Sequence, residues 1–461
     1  MISGPDQDRT RLIKGSQVFM AVLSFFAISL ACSSTVPFSN SQTPVPTSLS
    51  ISQTLAPKPA VSQGLIAYVG NDGNIYTTDQ DGKQPSAITQ DADLSLANGQ
   101  IKNVYQYPTW APDGQHLAFV RFRAGQSGPE ASLFSALSDG KGSVNTFTSQ
   151  FFEPFYLSWS PNSQVIAFLG SDSSGSMAQY QVAVSGGESK LVSSGQPYYW
   201  DWSPDNQTLI VHIGGASSDN PNASLAFIRL DGSIPKQELS LKPASFEAPA
   251  WSPAGDVLAL AAQNDAGVNE LVLAGLDGKV KQVLVKLAGP VDFAWSPKGV
   301  HLAYAVFDHT EANPTFHLFV LDSAHPDLSR QVVQGDLAAF FWSPDGQKIA
   351  YFTWGSARPS AAAFQTVART RVSAGLVVQV YDLSSGTSKE VATFSPTDSF
   401  QQILPFYSQY QRSGTLWSPD SQSLVLSGVD SGGQTAIYTV GADGSQFKKI
   451  ADGNLAFWSW K

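Results

Sequence analysis

From residue 64 onward the chain alternates between short apolar runs and clusters of Gly, Pro, Asp, Asn and Ser. Runs such as Leu65–Tyr68, Leu225–Leu230 and Lys348–Phe352 are short and bounded by turn residues, which predicts β-strands rather than helices. The punctuation recurs. A Trp is followed by a small residue, Pro, a turn pair and then a new apolar strand. Trp110-Ala111-Pro112-Asp113-Gly114 is the first copy. Copies follow at Trp159, Trp202, Trp251, Trp295, Trp342 and Trp417, and Phe457-Trp458-Ser459 is a broken eighth. Successive Trp spacings are 49, 43, 49, 44, 47, 75 and 41 residues.

The phrase has a local physical reading. Ser-Pro-Asp-Gly fits a type I turn: Ser starts it, Pro presets φ at the second position, and Gly takes the fourth. Asn206 can replace Gly at that last position, and Ser163 and Ser421 do so at greater steric cost. A second Gly-containing turn, such as Asp231-Gly232 or Asp443-Gly444, separates a third strand from a fourth. Four short strands in a repeat of about 40–50 residues predict the blade of a β-propeller. The fold class is therefore all-β, with eight four-stranded blades. Leu65–Tyr68, Asn74–Tyr76 and Ser86–Thr89 lack a preceding Trp strand, and the Phe457-Trp458 strand lacks followers. Pairing these N- and C-terminal strands closes the ring and removes both free edges. The long interval after Trp342 is read as one blade with two insertions.

The repeated phrase resembles the Trp-Ser-Pro-Asp-Gly repeats of TolB-type β-propellers, across nearly everything after residue 63. It lacks the Gly-His and Trp-Asp pairs of the WD repeat. The resemblance implies a fold, not a chemistry.

Composition narrows the function classes. Only 14% of the 461 residues are charged and the net charge is −10, which leaves no electrostatic footprint for nucleic acid. The single cysteine excludes a disulfide framework and a multi-thiolate metal site. Residues 1–31 read as an export signal, with Arg9, Arg11 and Lys14 ahead of the apolar run Val18–Ala31. That run is short for a membrane span. Ser29-Leu30-Ala31-Cys32 resembles the lipobox of bacterial lipoproteins, with Ser29 where the family places Leu. The resemblance implies lipidation of Cys32, membrane attachment and an extracytoplasmic domain. An ordinary secretory signal and a retained anchor helix are the alternatives. Residues 32–63, rich in Ser, Thr and Pro, predict a flexible tether, and 64–461 the propeller.

Candidate chemistry falls on one rim. The turns between first and second strands are tight. The second-to-third and blade-to-blade loops are long, and long loops on a rigid scaffold carry function more often. Tyr199, Trp200, Tyr407 and Arg371 in those loops are the expected contacts for a protein, peptide or glycan. The opposing expectation is that the aromatics cap the blades. Arg358, Arg369, Arg371 and Arg412 offer either an anion site or solvated loops. Asp201, Glu247 and Asp292, just before their Trp residues, are acids that a propeller enzyme, a lyase or glycosidase, would bring together in a central channel. His309, Glu311 and His317 lack tight metal-ligand spacing, so neither metal nor cofactor is expected. No Gly-x-Ser-x-Gly elbow or phosphate-binding Gly loop occurs. The sequence therefore favours a tethered binding or scaffold module over an enzyme.

Overall fold

The computed structural model describes residues 64–97, 99–125, 128–232, 236–308, 315–355 and 375–461. These fall within one compact unit, Val61–Lys461. Cys32, His309, Glu311, Arg358, Arg369 and Arg371 lie outside the described residues.

The architecture is all-β and multi-sheet, of the β-propeller kind. Seven of the eight expected Trp positions end a strand: Gln100–Trp110, Phe155–Trp159, Tyr198–Trp202, Ala250–Trp251, Val291–Trp295, Leu337–Trp342 and Lys448–Trp458. Trp417 instead makes an isolated bridge to Leu424. Each first strand runs antiparallel to the one that follows. Tyr198–Trp202, Thr208–Ile213, Ser224–Arg229 and Gln237–Glu238, for example, pair in chain order. Ile66–Gly70 pairs with the C-terminal strand, with Ile66 opposite Trp458 and Ala67 opposite Phe457.

The repeated Trp does one job in most repeats. Its indole N–H reaches the residue just before the Trp of the preceding repeat. Trp159 donates to the Thr109 carbonyl, Trp295 to Ala250, Trp342 to Ala294 and Trp417 to Phe341. Trp202 donates to the Ser158 hydroxyl. Trp110 donates to the Phe457 carbonyl at 3.2 Å, so the C-terminal strand fills the preceding place for the first copy. All but the Trp295 bond, which is partly buried, are fully buried, where a satisfied donor matters most.

The turn after each Trp is built as the phrase requires. The Ser343 hydroxyl donates to Asp345 at 2.6 Å and accepts the Lys348 N–H. Ser203 and Ser418 repeat both contacts. Ser163, Asn206 and Ser421 adopt φ of about 60° where the other copies have Gly. Each has a compensating contact on the previous repeat's turn. Their side-chain oxygens accept the N–H of Asp113, Asn162 and Asp345 respectively.

The interval between Trp342 and Trp417 carries strands Lys348–Trp354, Leu376–Asp382 and Thr387–Pro396. After them the chain forms α1 (Asp398–Ile403), a 3-10 turn (Leu404–Phe406) and α2 (Tyr407–Tyr410). The blade-to-blade loop expected here is thus partly helical. Its helix signals are local: Thr397 caps α1 by accepting the Phe400 N–H, Asp398 sits in the first turn, and Pro405 opens the 3-10 turn. Among the described residues no helix is long and apolar enough to cross a membrane.

Candidate functional site

The segment Thr397–Gly414 meets five successive first strands, so those strands converge on it. The Tyr156 hydroxyl donates to the Gln409 carbonyl at 2.9 Å, and Gln409 Nε2 reaches Tyr156 Oη at 2.6 Å and the Trp200 carbonyl at 3.1 Å. The Arg412 guanidinium lies 3.0 Å from the Asp201 carboxylate. It also donates to the carbonyls of Ala248 and Pro249, just ahead of Ala250–Trp251. Ser408 hydrogen-bonds Asp292, and Tyr407 packs edge-on against Phe340 at 5.1 Å. The segment's other end is tied down where Thr397 Oγ1 donates to the Asn454 carbonyl at 2.6 Å. Where these first strands come together, the place expected to hold a central channel, the protein's own segment is packed against them.

Of the three acids expected in the channel, Asp201 and Asp292 contact this segment and Glu247 feels the charges of Asp292 and Arg412, and their circumstances differ. Asp201 pairs with Arg412 and accepts the Trp251 N–H at 2.9 Å. Burial still holds its pKa above the ordinary value, outweighing the Arg412 charge. Glu247 is fully buried. Burial raises it well above the carboxylate range; the nearby Asp292 charge adds to this, and the Ala261 N–H opposes it. Asp292 is pushed up to about 6 by burial, against the Ser408 hydrogen bond. It is also only partly covered. The result is a cluster of acids whose proton affinities burial raises, with Arg412 as the cation paired to Asp201.

The aromatics expected at the rim are packed instead. Trp200, Tyr199 and Tyr407 are buried. Trp200 lies 4.9 Å from the Tyr156 ring, and Tyr199 stacks on Phe246 at 4.1 Å. Their large apolar surfaces fill space between first strands and the inserted segment, which a side chain offered to a partner cannot do. Arg412, expected in an anion site or a solvated loop, is the partly buried clamp described above. Exposed aromatics on the blade-to-blade loops are Phe151, 87% exposed, and Phe406, 46% exposed. His317 is buried on Thr315–Asp322. Sequence reasoning missed His212, which is fully buried with its ring nitrogens 2.8 Å and 3.0 Å from the carbonyls of Glu247 and Gly215. A lone His in an apolar strand, Thr208–Ile213, gave no motif to find it by. Among the described residues no group of three or more His, Cys, Asp and Glu could hold a metal ion.

Comparison with known proteins fits this architecture. The family described as the TolB beta propeller domain matches residues 99–299. No curated protein matches the chain. Among solved structures, an oligogalacturonate lyase from Vibrio parahaemolyticus is 13% identical with a TM-score of 0.50, covering 83% of this chain and 98% of its own. A structure from an analysis of two prolyl endopeptidases is 12% identical with a TM-score of 0.50, covering 77% of this chain and 50% of its own. TolB from Acinetobacter baumannii is 14% identical with a TM-score of 0.36, covering 80% of this chain and 88% of its own. At such identities the likeness is one of fold. The chain is a distant relative, over part of its length, of TolB-type β-propeller proteins.

Proposed function

We propose that the chain is an eight-bladed propeller, closed by its terminal strands, that acts as a binding or scaffold module for a protein, peptide or glycan. It is held at a bacterial membrane through lipidated Cys32 and the tether of residues 32–63, with the propeller extracytoplasmic. One observation carries the binding reading: the axial acids are engaged by the protein itself. Asp201 is paired with Arg412, Glu247 is fully buried, and Thr397–Gly414 packs against the first strands that carry Asp201 and Asp292. Recognition then falls to the long-loop rim, where Phe151 and Phe406 present apolar surface and Arg371 adds charge. Tyr199, Trp200 and Tyr407 serve this rim from beneath, as its packing. Nucleic acid is not a partner on charge grounds.

A second reading is an extracytoplasmic propeller lyase or glycosidase. It is favoured by Asp292, a partly covered acid held at about 6 beside Glu247, which is the kind of poise that general acid–base chemistry uses.

The full-length protein is tested against a glycan array and peptide libraries, and on polysaccharides for bond cleavage. Binding lost in Phe151→Ala/Phe406→Ala with unchanged melting, and no cleavage, supports the module. Cleavage abolished by Asp292→Asn supports the enzyme. Mass spectrometry of exported protein tests Cys32: an unmodified thiol there refutes the anchor.

A further inference from the structure

His212 is boxed in by oxygen. It is fully buried, its Nδ1 lies 2.8 Å from the Glu247 carbonyl, and its Nε2 lies 3.0 Å from the Gly215 carbonyl. A neutral imidazole has one N–H and one lone pair, so one of these contacts would set a lone pair against a carbonyl oxygen. The imidazolium donates to both. A counter-charge stands beside it: Glu247 Oε2 is 3.4 Å from Nδ1, fully buried and without a hydrogen bond of its own. Glu247 Oε1 accepts the Ala261 N–H.

We infer that His212 and Glu247 hold one buried proton between them, carried on the imidazole, as an internal ion pair that latches the long loop after Ile213 to the segment leading into Ala250–Trp251. The pair keeps a single proton in either form, on the carboxyl or on the ring, and the two carbonyls decide for the ring. Burial alone pulls the ring's pKa down and the carboxyl's up. Both effects favour the neutral pair with the proton on the carboxyl; the carbonyls of Glu247 and Gly215 at the two ring nitrogens, which raise the ring's pKa, oppose them. The charged and titratable groups around the pair are Asp292 and Arg412, which act on Glu247 from Val291–Trp295 and the inserted segment, and Tyr199 on Tyr198–Trp202. The Phe246 ring, 5.5 Å from the imidazole, closes one side.

The latch gives stability a defined pH dependence. In the unfolded chain Glu titrates near about 4.3 and His near about 6.5. Between those values the unfolded pair also holds one proton, so the contribution is level and greatest there. Above about 6.5 the unfolded pair has lost its proton while the folded pair keeps it. Folding then takes up a proton, and stability falls as pH rises.

The experiment is nitrogen NMR of the full-length protein labelled at histidine, at pH 7.5, with His212 assigned by comparison with His212→Gln. Two protonated-type ring resonances, unchanged until the protein's alkaline loss of stability, are expected. One protonated and one bare nitrogen at that pH overturns the proposal. Melting against pH supplies a second reading. Glu247→Gln should flatten the decline above pH 6.5 relative to wild type, and an unchanged slope counts against the shared proton.

Discussion

Arg412 and Asp201 come from different repeats, yet their side chains meet at 3.0 Å. The pair is largely buried, with side-chain exposures of 14% and 19%. Through it the insertion following Thr387–Pro396 is fastened to the first strand Tyr198–Trp202. Arg412 also spans two backbone carbonyls, which a lysine ammonium cannot match with the same fork.

Removing that guanidinium leaves Asp201 buried without its cation. Arg412→Ala is expected to destabilise the protein by about 3 kcal/mol, the low end for a broken buried pair because some solvent reaches it. Arg412→Lys should recover part of the loss. Denaturant unfolding checks both, and a wild-type midpoint for Arg412→Ala would show that the pair holds nothing.

The terminal strands make the second prediction. Ile66–Gly70 pairs with Lys448–Trp458, and the Trp110 indole needs the Phe457 carbonyl. Deleting residues 453–461 frees a strand edge and orphans a buried donor. The truncated chain should aggregate or melt well below the intact one. Size-exclusion chromatography and melting measure this, and equal melting of monomeric truncated protein refutes the closure.

Ser421 tests the turn register. Its φ of 60° is strained for a residue with a Cβ, and its hydroxyl accepts the Asp345 N–H at 3.0 Å. Ser421→Ala keeps the strain and loses the bond, so a loss of about 1–2 kcal/mol is expected. Ser421→Gly relieves the strain while losing the bond and should cost less. If alanine is tolerated as well as glycine, the backbone strain there is not real.

Asp292 carries a pH signature separate from that of His212. Its folded pKa of about 6 lies above the ordinary value of about 3.9. Stability from the protonated form is therefore complete below about 3.9 and is lost as pH rises through 6. Asp292→Asn should remove that decline between pH 4 and 7 while leaving the change above it. A wild-type slope in the variant would mean that Asp292 is solvated.

The sequence revealed what is local and repeated. The Ser-Pro-Asp-Gly turn is legible because every partner lies within five residues, as Ser343, Asp345 and Lys348 demonstrate. The terminal strand pair was legible too, because incomplete repeats at both ends complement each other. The axial site was legible only in half. Asp201, Glu247 and Asp292 could be placed by their register before Trp, since first strands repeat. What packs against them could not, because Arg412, Gln409 and Tyr407 belong to a non-repeating insertion whose contacts lie in other repeats. For the same reason the aromatics Tyr199, Trp200 and Tyr407 read as surface features. Composition cannot distinguish an aromatic facing solvent from one facing an insertion.

The central claim is that Thr397–Gly414 is seated on the axial acids as part of the fold. Amide hydrogen exchange across this segment tests it most directly. The Gln411 N–H bonds the Tyr407 carbonyl at 2.9 Å and the Gly414 N–H bonds that of Tyr410 at 2.9 Å. With the segment seated, these amides should be protected like those of Tyr198–Trp202, and Arg412→Ala should strip protection from the segment first. Exchange in the wild-type protein as fast as that of an exposed turn such as Asp430–Gly433 would contradict the account.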